Sequence, residues 1–150
     1  ENNVIDFEMI TDYWKDTGTP DDIIHANGEI LKNMNPYNSG HIDDDVELKN
    51  NIMIGYGSDI RGNSKIIGPC IIGKNCKIGP NTILGPNVSI GDDSEIYDCN
   101  IQNSILMTNC SIISKIKIKN SIIASNSKIT VDEQNDEKTF LLGEGTVLSL

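Results

Sequence analysis

The chain has 150 residues, of which 22 are acidic and 12 are basic, so its net charge at pH 7 is −10. This acidity argues against nucleic acid and anionic membranes as partners. No apolar run approaches the ~20 residues of a membrane span, and no signal peptide is visible, so we expect a cytoplasmic protein that does not bind membranes. The four cysteines form no CxxC pair and are interpreted as small buried hydrophobic residues in a reducing compartment.

The first 34 residues differ in kind from the rest of the chain. The apolar stretch 4–7 predicts a short strand, and a chain that starts directly here indicates a cut through a larger fold. Thr19 is a good N-cap, Pro20 suits the first helical position, and the two aspartates that follow suit the positive end of a helix dipole. We therefore predict a helix from about Pro20 to about Asn33.

Residues 35–45 combine turn-forming residues with three acids and are predicted to be a linker. His41 stands near Asp43, Asp44 and Asp45, which raises the possibility of a metal site. Acids that are adjacent in sequence cannot all face one ion, so a solvated polar loop is the preferred interpretation.

A six-residue repeat organises the chain from residue 46 onwards. Each unit carries an aliphatic residue, and a small or β-branched residue stands two positions earlier. The aliphatic positions are Leu48, Ile54, Ile60, Ile66, Ile72, Ile78, Leu84, Ile90 and Ile96. The earlier positions include Ser58, Ser64, Cys70, Cys76, Thr82 and Ser94. A six-residue period indicates a repeat architecture rather than a helix or a simple strand.

Each unit has room for one short strand and one sharp corner. Residues i and i−2 of a strand point to the same face, so both repeated positions should point inward. Glycine follows the aliphatic residue at Gly55, Gly73, Gly79, Gly85 and Gly91, and it accepts the positive φ of a corner. Asparagine at Asn63, Asn75, Asn81 and Asn87 also suits corners.

Three corners close a triangle, so 18 residues should make one coil. Three aliphatic stacks should then run along the prism: Ile54, Ile72 and Ile90; Ile60, Ile78 and Ile96; and Leu48, Ile66 and Leu84. A stack of ordinary β-hairpins is the alternative, but hairpins would show strands of varied length. The constant spacing therefore favours coils.

The strict period slips after Ile96, where we predict further coils with irregular corners at Asn100, Asn103, Asn109, Asn120 and Asn126. Lys115, Lys117 and Lys119 alternate with isoleucines, which predicts a strand with a basic outer face. That face could bind an anion, although a solvated sheet edge is the commoner explanation. Residues 131–139 should form a protruding loop, and the apolar stretches 140–142 and 147–150 should cap the last coil.

The hexad pattern resembles the hexapeptide-repeat family. That resemblance implies an all-β fold, a left-handed parallel β-helix of about five to six triangular coils, preceded here by the strand and the helix. It also implies a homotrimer.

A second resemblance rests on residues 13–22, where W-x-D-T-G-T-P-x-D precedes I-I-x-A-N. This motif resembles the end of the catalytic domain of sugar-1-phosphate nucleotidylyltransferases. The hexads at 66–73 and 78–81 resemble the C-terminal β-helix of the long glucose-1-phosphate thymidylyltransferases. The resemblance implies a remnant of the nucleotidyltransferase domain at 1–34, the linker at 35–45 and the β-helix at 46–150.

In the resembled enzymes, glucose 1-phosphate and dTTP or UTP yield a nucleotide-sugar and pyrophosphate. The resemblance implies that Asp16 is one of two aspartates that hold Mg²⁺. Trp14 is a candidate for lining the sugar or nucleotide pocket, with a place in a hydrophobic core as the alternative. The chain has no glycine-rich basic phosphate loop, so by itself it is not expected to catalyse nucleotidyl transfer, and it needs no Mg²⁺.

Two other functions stay open. Many hexapeptide β-helices are CoA-dependent acetyltransferases, and this chain could act on an amino-sugar 1-phosphate. Such sites usually need a histidine as general base, and the two histidines, His25 and His41, precede the repeats. The second of these functions is that of a purely structural trimerisation module.

Overall fold

A computed structural model describes residues 16–131 and 137–149, which form one helix and twenty short strands. The helix, α1, spans Pro20–Asn33. The strands are, in chain order, β1 (Tyr37–Asn38), β2 (His41–Ile42), β3 (Glu47–Lys49), β4 (Ile52–Ile54), β5 (Asp59–Ile60), β6 (Lys65–Ile67), β7 (Cys70–Ile72), β8 (Lys77–Ile78), β9 (Ile83–Leu84), β10 (Val88–Ile90), β11 (Glu95–Tyr97), β12 (Asn100–Gln102), β13 (Ser104–Leu106), β14 (Ser111–Ser114), β15 (Lys117–Lys119), β16 (Ile122–Ile123), β17 (Lys128–Val131), β18 (Glu137–Lys138), β19 (Leu141–Leu142) and β20 (Val147–Ser149).

Every third strand joins the same parallel sheet, which confirms the predicted left-handed β-helix of about six coils. Sheet A contains β1, β4, β7, β10, β13, β16 and β19. Sheet B contains β2, β5, β8, β11, β14, β17 and β20. Sheet C contains β3, β6, β9, β12, β15 and β18. The three predicted aliphatic stacks are confirmed by the strand register, in which Ile54 pairs with Ile72, Ile60 with Ile78, and Leu48 with Ile66.

The interior of the prism is filled by these stacks. The aliphatic residues from Ile54 to Ile96 are all buried, and burial continues through Ile101, Leu106, Ile112, Ile118, Ile123 and Ile129. Each stack removes apolar surface from water at about 25 cal/mol per Å². Leu48 is the exception, since it is 43% exposed. Its strand is the edge strand of sheet C, so it packs against only one neighbouring coil.

The small inward residues carry hydroxyl groups that bond to the corner backbone. Ser58 Oγ donates to the carbonyl of Gly73 at 2.7 Å and accepts from the amide of Cys76 at 2.9 Å. Ser64 Oγ accepts from the amide of Thr82 in the same way at 3.3 Å. A buried hydroxyl without a partner would destabilise the fold, so these bonds explain why serine and threonine are tolerated inside.

The corners are built mainly by asparagine and aspartate. All the non-glycine residues described with positive φ are of these two types: Asn50, Asn63, Asn75, Asn81, Asn87, Asp93, Asp98, Asn103, Asn109, Asn120 and Asn126. Their amides also connect successive coils, as in the chain from Asn63 Nδ2 to Asn81 Oδ1 and from Asn81 Nδ2 to Asp98 Oδ1. One predicted corner is wrong: Asn100 lies in β12, on the outer face of sheet C.

Positive φ, the predicted reason for the glycine after each aliphatic residue, is found at only two of the five predicted positions. Gly79 and Gly85 have positive φ, of 84° and 94°, but Gly55, Gly73 and Gly91 do not. At these three positions the coils approach too closely for a side chain. A Cβ on Gly55 would lie 2.5 Å from the carbonyl oxygen of Gly73, and one on Gly91 would lie 2.6 Å from backbone atoms of Met107 and Thr108.

The loss of period after Ile96 reflects shorter and then longer coils. Partners in the regular part are 18 residues apart, as for Ile78 and Ile96. The next coils are shorter, so that Ile96 pairs with Ile112 and Leu84 with Ile101. Residues 132–136 of the predicted loop lie outside the described residues, and residues 137–138 form β18 on the edge of sheet C.

The N-terminal predictions have three outcomes. The predicted helix is confirmed: Thr19 Oγ1 accepts from the amide of Asp22 at 3.2 Å, and α1 ends at Asn33. The predicted strand at 4–7 lies outside the described residues. Within 35–45, assigned to a linker, β1 and β2 pair with β4 and β5, so this segment forms two sides of the first coil. No helix in the described ranges is long and apolar enough to cross a membrane.

Candidate functional site

Asp16, the predicted Mg²⁺ ligand, lies exposed four residues before α1 begins. Trp14, the predicted pocket residue, lies outside the described residues. Among those described, the one group of three or more acidic, histidine or cysteine donors close enough to share an ion is formed by His41, Asp43 and Asp59. Asp16 is not part of it, so the described residues do not complete a Mg²⁺ site around Asp16.

The loop that carries Asp16 leads into α1, and α1 packs on the outer face of sheet A. Ile24, Gly28 and Leu31 are the buried residues of α1, one helical face. Asn27 Oδ1 accepts a hydrogen bond from Ser89 Oγ at 2.6 Å, which ties the middle of α1 to β10. The β-helix therefore fixes the position of the helix that follows Asp16.

Sheet A is apolar on its outer face because of one residue in each strand. This outer row consists of Tyr37, Met53, Ile71, Ser89, Ile105, Ile122 and Leu141, which are in register across the sheet. Met53 is fully buried although it is not part of the interior core, so this face of sheet A is covered at β4 as well. The inward residues of the repeat therefore form the interior of the prism. The mostly apolar outward residues of sheet A form the face on which α1 packs.

Sheet B has an outer row of opposite character, in which charges alternate. Asp59, Lys77 and Glu95 are neighbours in register, and Lys77 Nζ lies 2.7 Å from Glu95 Oε1. Arg61 Nε lies 2.8 Å from Asp59 Oδ2. The hydrogen bond and the charge of Glu95 raise the pKa of Lys77, and those of Asp59 raise the pKa of Arg61.

His41, Asp43 and Asp59 meet at the lower end of this sheet. His41 and Asp43 are close in sequence, whereas Asp59 belongs to the next coil and could not be assigned to this group from the sequence. His41 Nε2 lies 3.3 Å from Asp43 Oδ1. The carboxylates already accept bonds from the amide of Gly62 and from Arg61. All three side chains are open to solvent to some degree, so the group is adequately explained as a surface polar network.

An acetyltransferase site would be expected to use a histidine, and the two histidines lie at the N-terminal end of the described structure. His25 lies on α1 and His41 lies in β2, and the sequence has no histidine after His41. All four cysteines are free and buried. Burial raises the pKa of the Cys70 thiol to about 12 and raises that of Cys99 as well, which keeps both as unreactive thiols.

The fold and this site define a hexapeptide-repeat β-helix that carries a docked helix on one face. The sequence profile of the family described as the GMPPB C-terminal domain matches residues 66–148. The chain therefore belongs to the GMPPB C-terminal domain family.

Two curated relatives cover most of the chain. A glucose-1-phosphate thymidylyltransferase of Streptomyces griseus is 30% identical over 81% of this chain and 34% of its own length. Another, from Streptomyces antibioticus, is 31% identical over 91% of this chain and 38% of its own length. These matches bear out the resemblance to glucose-1-phosphate thymidylyltransferases. The chain spans about a third of the length of these relatives.

A solved structure supports the fold. Perosamine N-acetyltransferase from Caulobacter crescentus, in complex with CoA and GDP-perosamine, superposes with a TM-score of 0.59. It is 16% identical and covers 76% of this chain and 51% of the other. At this identity the likeness shows the β-helix and no more.

The docking of α1 can be tested at Gly28. A Cβ there would lie 3.5 Å from Asn87, an ordinary contact distance, at ordinary φ. We expect Gly28→Ala to stabilise α1 by up to about 1 kcal/mol through helix propensity. Gly28→Leu should instead push α1 away from Asn87 and speed amide hydrogen exchange in α1. Unchanged exchange in Gly28→Leu would contradict docking through this position.

Proposed function

We propose that this chain is the C-terminal β-helix assembly and regulatory domain of a sugar-1-phosphate nucleotidylyltransferase in the cytoplasm. The parent enzyme would join glucose 1-phosphate to dTTP or UTP and release pyrophosphate. The observation that carries the proposal is the match to two glucose-1-phosphate thymidylyltransferases over more of the chain than the β-helix occupies. Docking of α1 on sheet A supports it, because the helix links the Asp16 loop rigidly to the β-helix.

In the proposed nucleotidyl transfer, this chain would contribute only one residue, Asp16, to the reaction. A phosphate oxygen of the sugar phosphate attacks the α-phosphorus of the nucleotide, and pyrophosphate leaves. Positioning of the two substrates supplies much of the rate, and Mg²⁺ supplies charge neutralisation when bound. Asp16 would provide one carboxylate to that ion. The second carboxylate and the triphosphate-binding loop would come from the rest of the parent enzyme.

Assembly is the second part of the proposal. The β-helix would join the catalytic domains as a homotrimer. α1 covers part of sheet A, which leaves the flat face of sheet B to meet other subunits. The alternating charges of sheet B would fix the register of such a contact. Sedimentation of the chain should give a trimer, and a clean monomer at micromolar concentration would rule out the assembly role.

The catalytic part is tested in the full-length protein. We expect Asp16→Asn to lower nucleotidyl transfer about a hundredfold or more, since one charged group that acts on the reacting phosphates is lost. Asp21→Asn, in the first turn of α1, is the matched control and should leave the rate nearly unchanged. Equal rates for the two variants would remove Asp16 from the metal site. Turnover of acetyl-CoA with an amino-sugar 1-phosphate would point instead to acetyl transfer.

A further inference from the structure

The outer face of sheet C holds a group of polar side chains that the proposed function does not use. Asn100 pairs in register with Lys117, and Gln102 pairs with Lys119. Glu137 follows Lys117 on the next coil. Together with Ile118 they line a surface cavity of about 190 Å³. The basic strand predicted from Lys117 and Lys119 is therefore one wall of a concave site.

Hydrogen-bond donors exceed acceptors in this cavity. The two ammonium groups and two amides offer many N–H donors, and Glu137 is the one carboxylate among the lining residues. Lys119 Nζ lies 3.7 Å from Glu137 Oε1, longer than a hydrogen bond. Across residues 16–131 and 137–149, Lys117 makes no ion pair. Asn100 Oδ1 is buried without a hydrogen-bond partner.

Two lysines elsewhere on the outer faces of the sheets have close carboxylate partners, which Lys117 lacks among the described residues. Lys65, in the same outer row of sheet C, bonds to Glu47 at 3.1 Å, and this bond lowers the pKa of Glu47. Lys77 on sheet B bonds to Glu95 at 2.7 Å. The chain as a whole is strongly acidic, and the Lys117 ammonium group, which has no ion pair in the described ranges, lies beside the amides of Asn100 and Gln102. Such a group fits an anion that brings its own oxygen acceptors.

The ligand that fits best carries both a phosphate and hydroxyl groups. Lys117, Lys119 and Gln102 can donate to phosphate oxygens. Asn100 Oδ1 and Glu137 can accept from hydroxyls, once the flexible lysine stems move to grip the anion. We propose that this cavity on sheet C binds a sugar phosphate or a closely similar hydroxylated phosphate monoester. The site is separate from Asp16 and does not depend on nucleotidyl transfer.

Titration of the chain with glucose 1-phosphate, followed by NMR of backbone amides, tests the site. We expect saturable shifts concentrated in β12 and β15, and binding that weakens as salt is added. Lys117→Gln should weaken binding about tenfold or more, because one charge-assisted hydrogen bond is lost. Lys65→Gln is the matched control, since it removes a lysine from the same outer row three coils away from Lys117, and it should bind as the unmodified chain does.

Three results would overturn the proposal. The first is the absence of saturable shifts in β12 and β15 at millimolar glucose 1-phosphate. The second is an equal loss of affinity in Lys117→Gln and Lys65→Gln, which would indicate diffuse charge attraction. The third is equal affinity for inorganic phosphate and glucose 1-phosphate, which would remove the role of the hydroxyls. Glucose alone should cause no shifts. Both lysines point outward, so thermal melting of each variant should match that of the unmodified chain.

Discussion

Gly85→Ala is expected to prevent the β-helix from folding stably. Gly85 has φ of 94°, where an L side chain is strained, and a Cβ would overlap the carbonyl oxygen of Ile67 in the coil below. That oxygen belongs to the backbone of β6 in sheet C, so it cannot move aside as a flexible side chain could. The strain and the overlap together should destabilise the fold by more than about 4 kcal/mol, which is exceptional for a point substitution.

Gly143→Ala is the matched control because the same change is made where the structure is open. A Cβ on Gly143 meets no atom within 4 Å, and its φ is not positive. We expect its melting temperature to stay within a few degrees of that of the unmodified chain. Thermal unfolding followed by circular dichroism measures both variants. A Gly85→Ala protein that melts with the unmodified chain would show that the coils at Gly85 are farther apart than described.

The inside of the prism could be predicted from the sequence because it depends only on local periodicity. Residues i and i−2 face inward whatever the coil length, so the sequence predicts the buried positions of Ile72 and Cys70 without knowledge of their neighbours. The cap at Thr19 was predictable for the same reason, since its partner lies three residues away. Local rules of this kind do not depend on how the coils stack.

The outer faces could not be predicted in the same way, because contacts there join different coils. His41 meets Asp59, and Asn100 meets Lys117, and both pairs come together only through the strand register. The distance along the chain between such partners changes after Ile96, where the coils shorten. The sequence predicts a corner at Asn100 for this reason, because a corner asparagine and a strand asparagine cannot be distinguished until the register is known. The prediction for Gly55, Gly73 and Gly91 was wrong for another reason. These glycines are needed because the next coil passes too close for a side chain, and that distance is not visible in the sequence.

Two neighbouring isoleucines on β14 provide the sharpest test of the inward and outward assignment. Ile112 is fully buried and pairs in register with Ile96 and Ile129, whereas Ile113 is 42% exposed on the outer face of sheet B. Ile112→Asp would bury a carboxylate with no partner, so we expect the free energy of unfolding to fall by several kcal/mol at pH 7. Ile113→Asp leaves the interior of the coil unchanged and should cost much less free energy of unfolding than Ile112→Asp.

The comparison isolates the direction in which the side chain points, because both variants place the same poor strand former in the same strand. Its pH dependence is a further check. A carboxyl buried at position 112 would have a raised pKa in the folded state, so the fold would bind a proton more tightly than the unfolded chain. The loss in free energy of unfolding caused by Ile112→Asp should therefore grow as pH rises above about 4, the pKa of the carboxyl in the unfolded chain, and shrink below that pH. Chemical denaturation at pH 4 and pH 7 measures this difference. If the two variants were equally stable at pH 7, β14 would be shifted by one residue, and the inward stack through Ile96, Ile112 and Ile129 would be wrong.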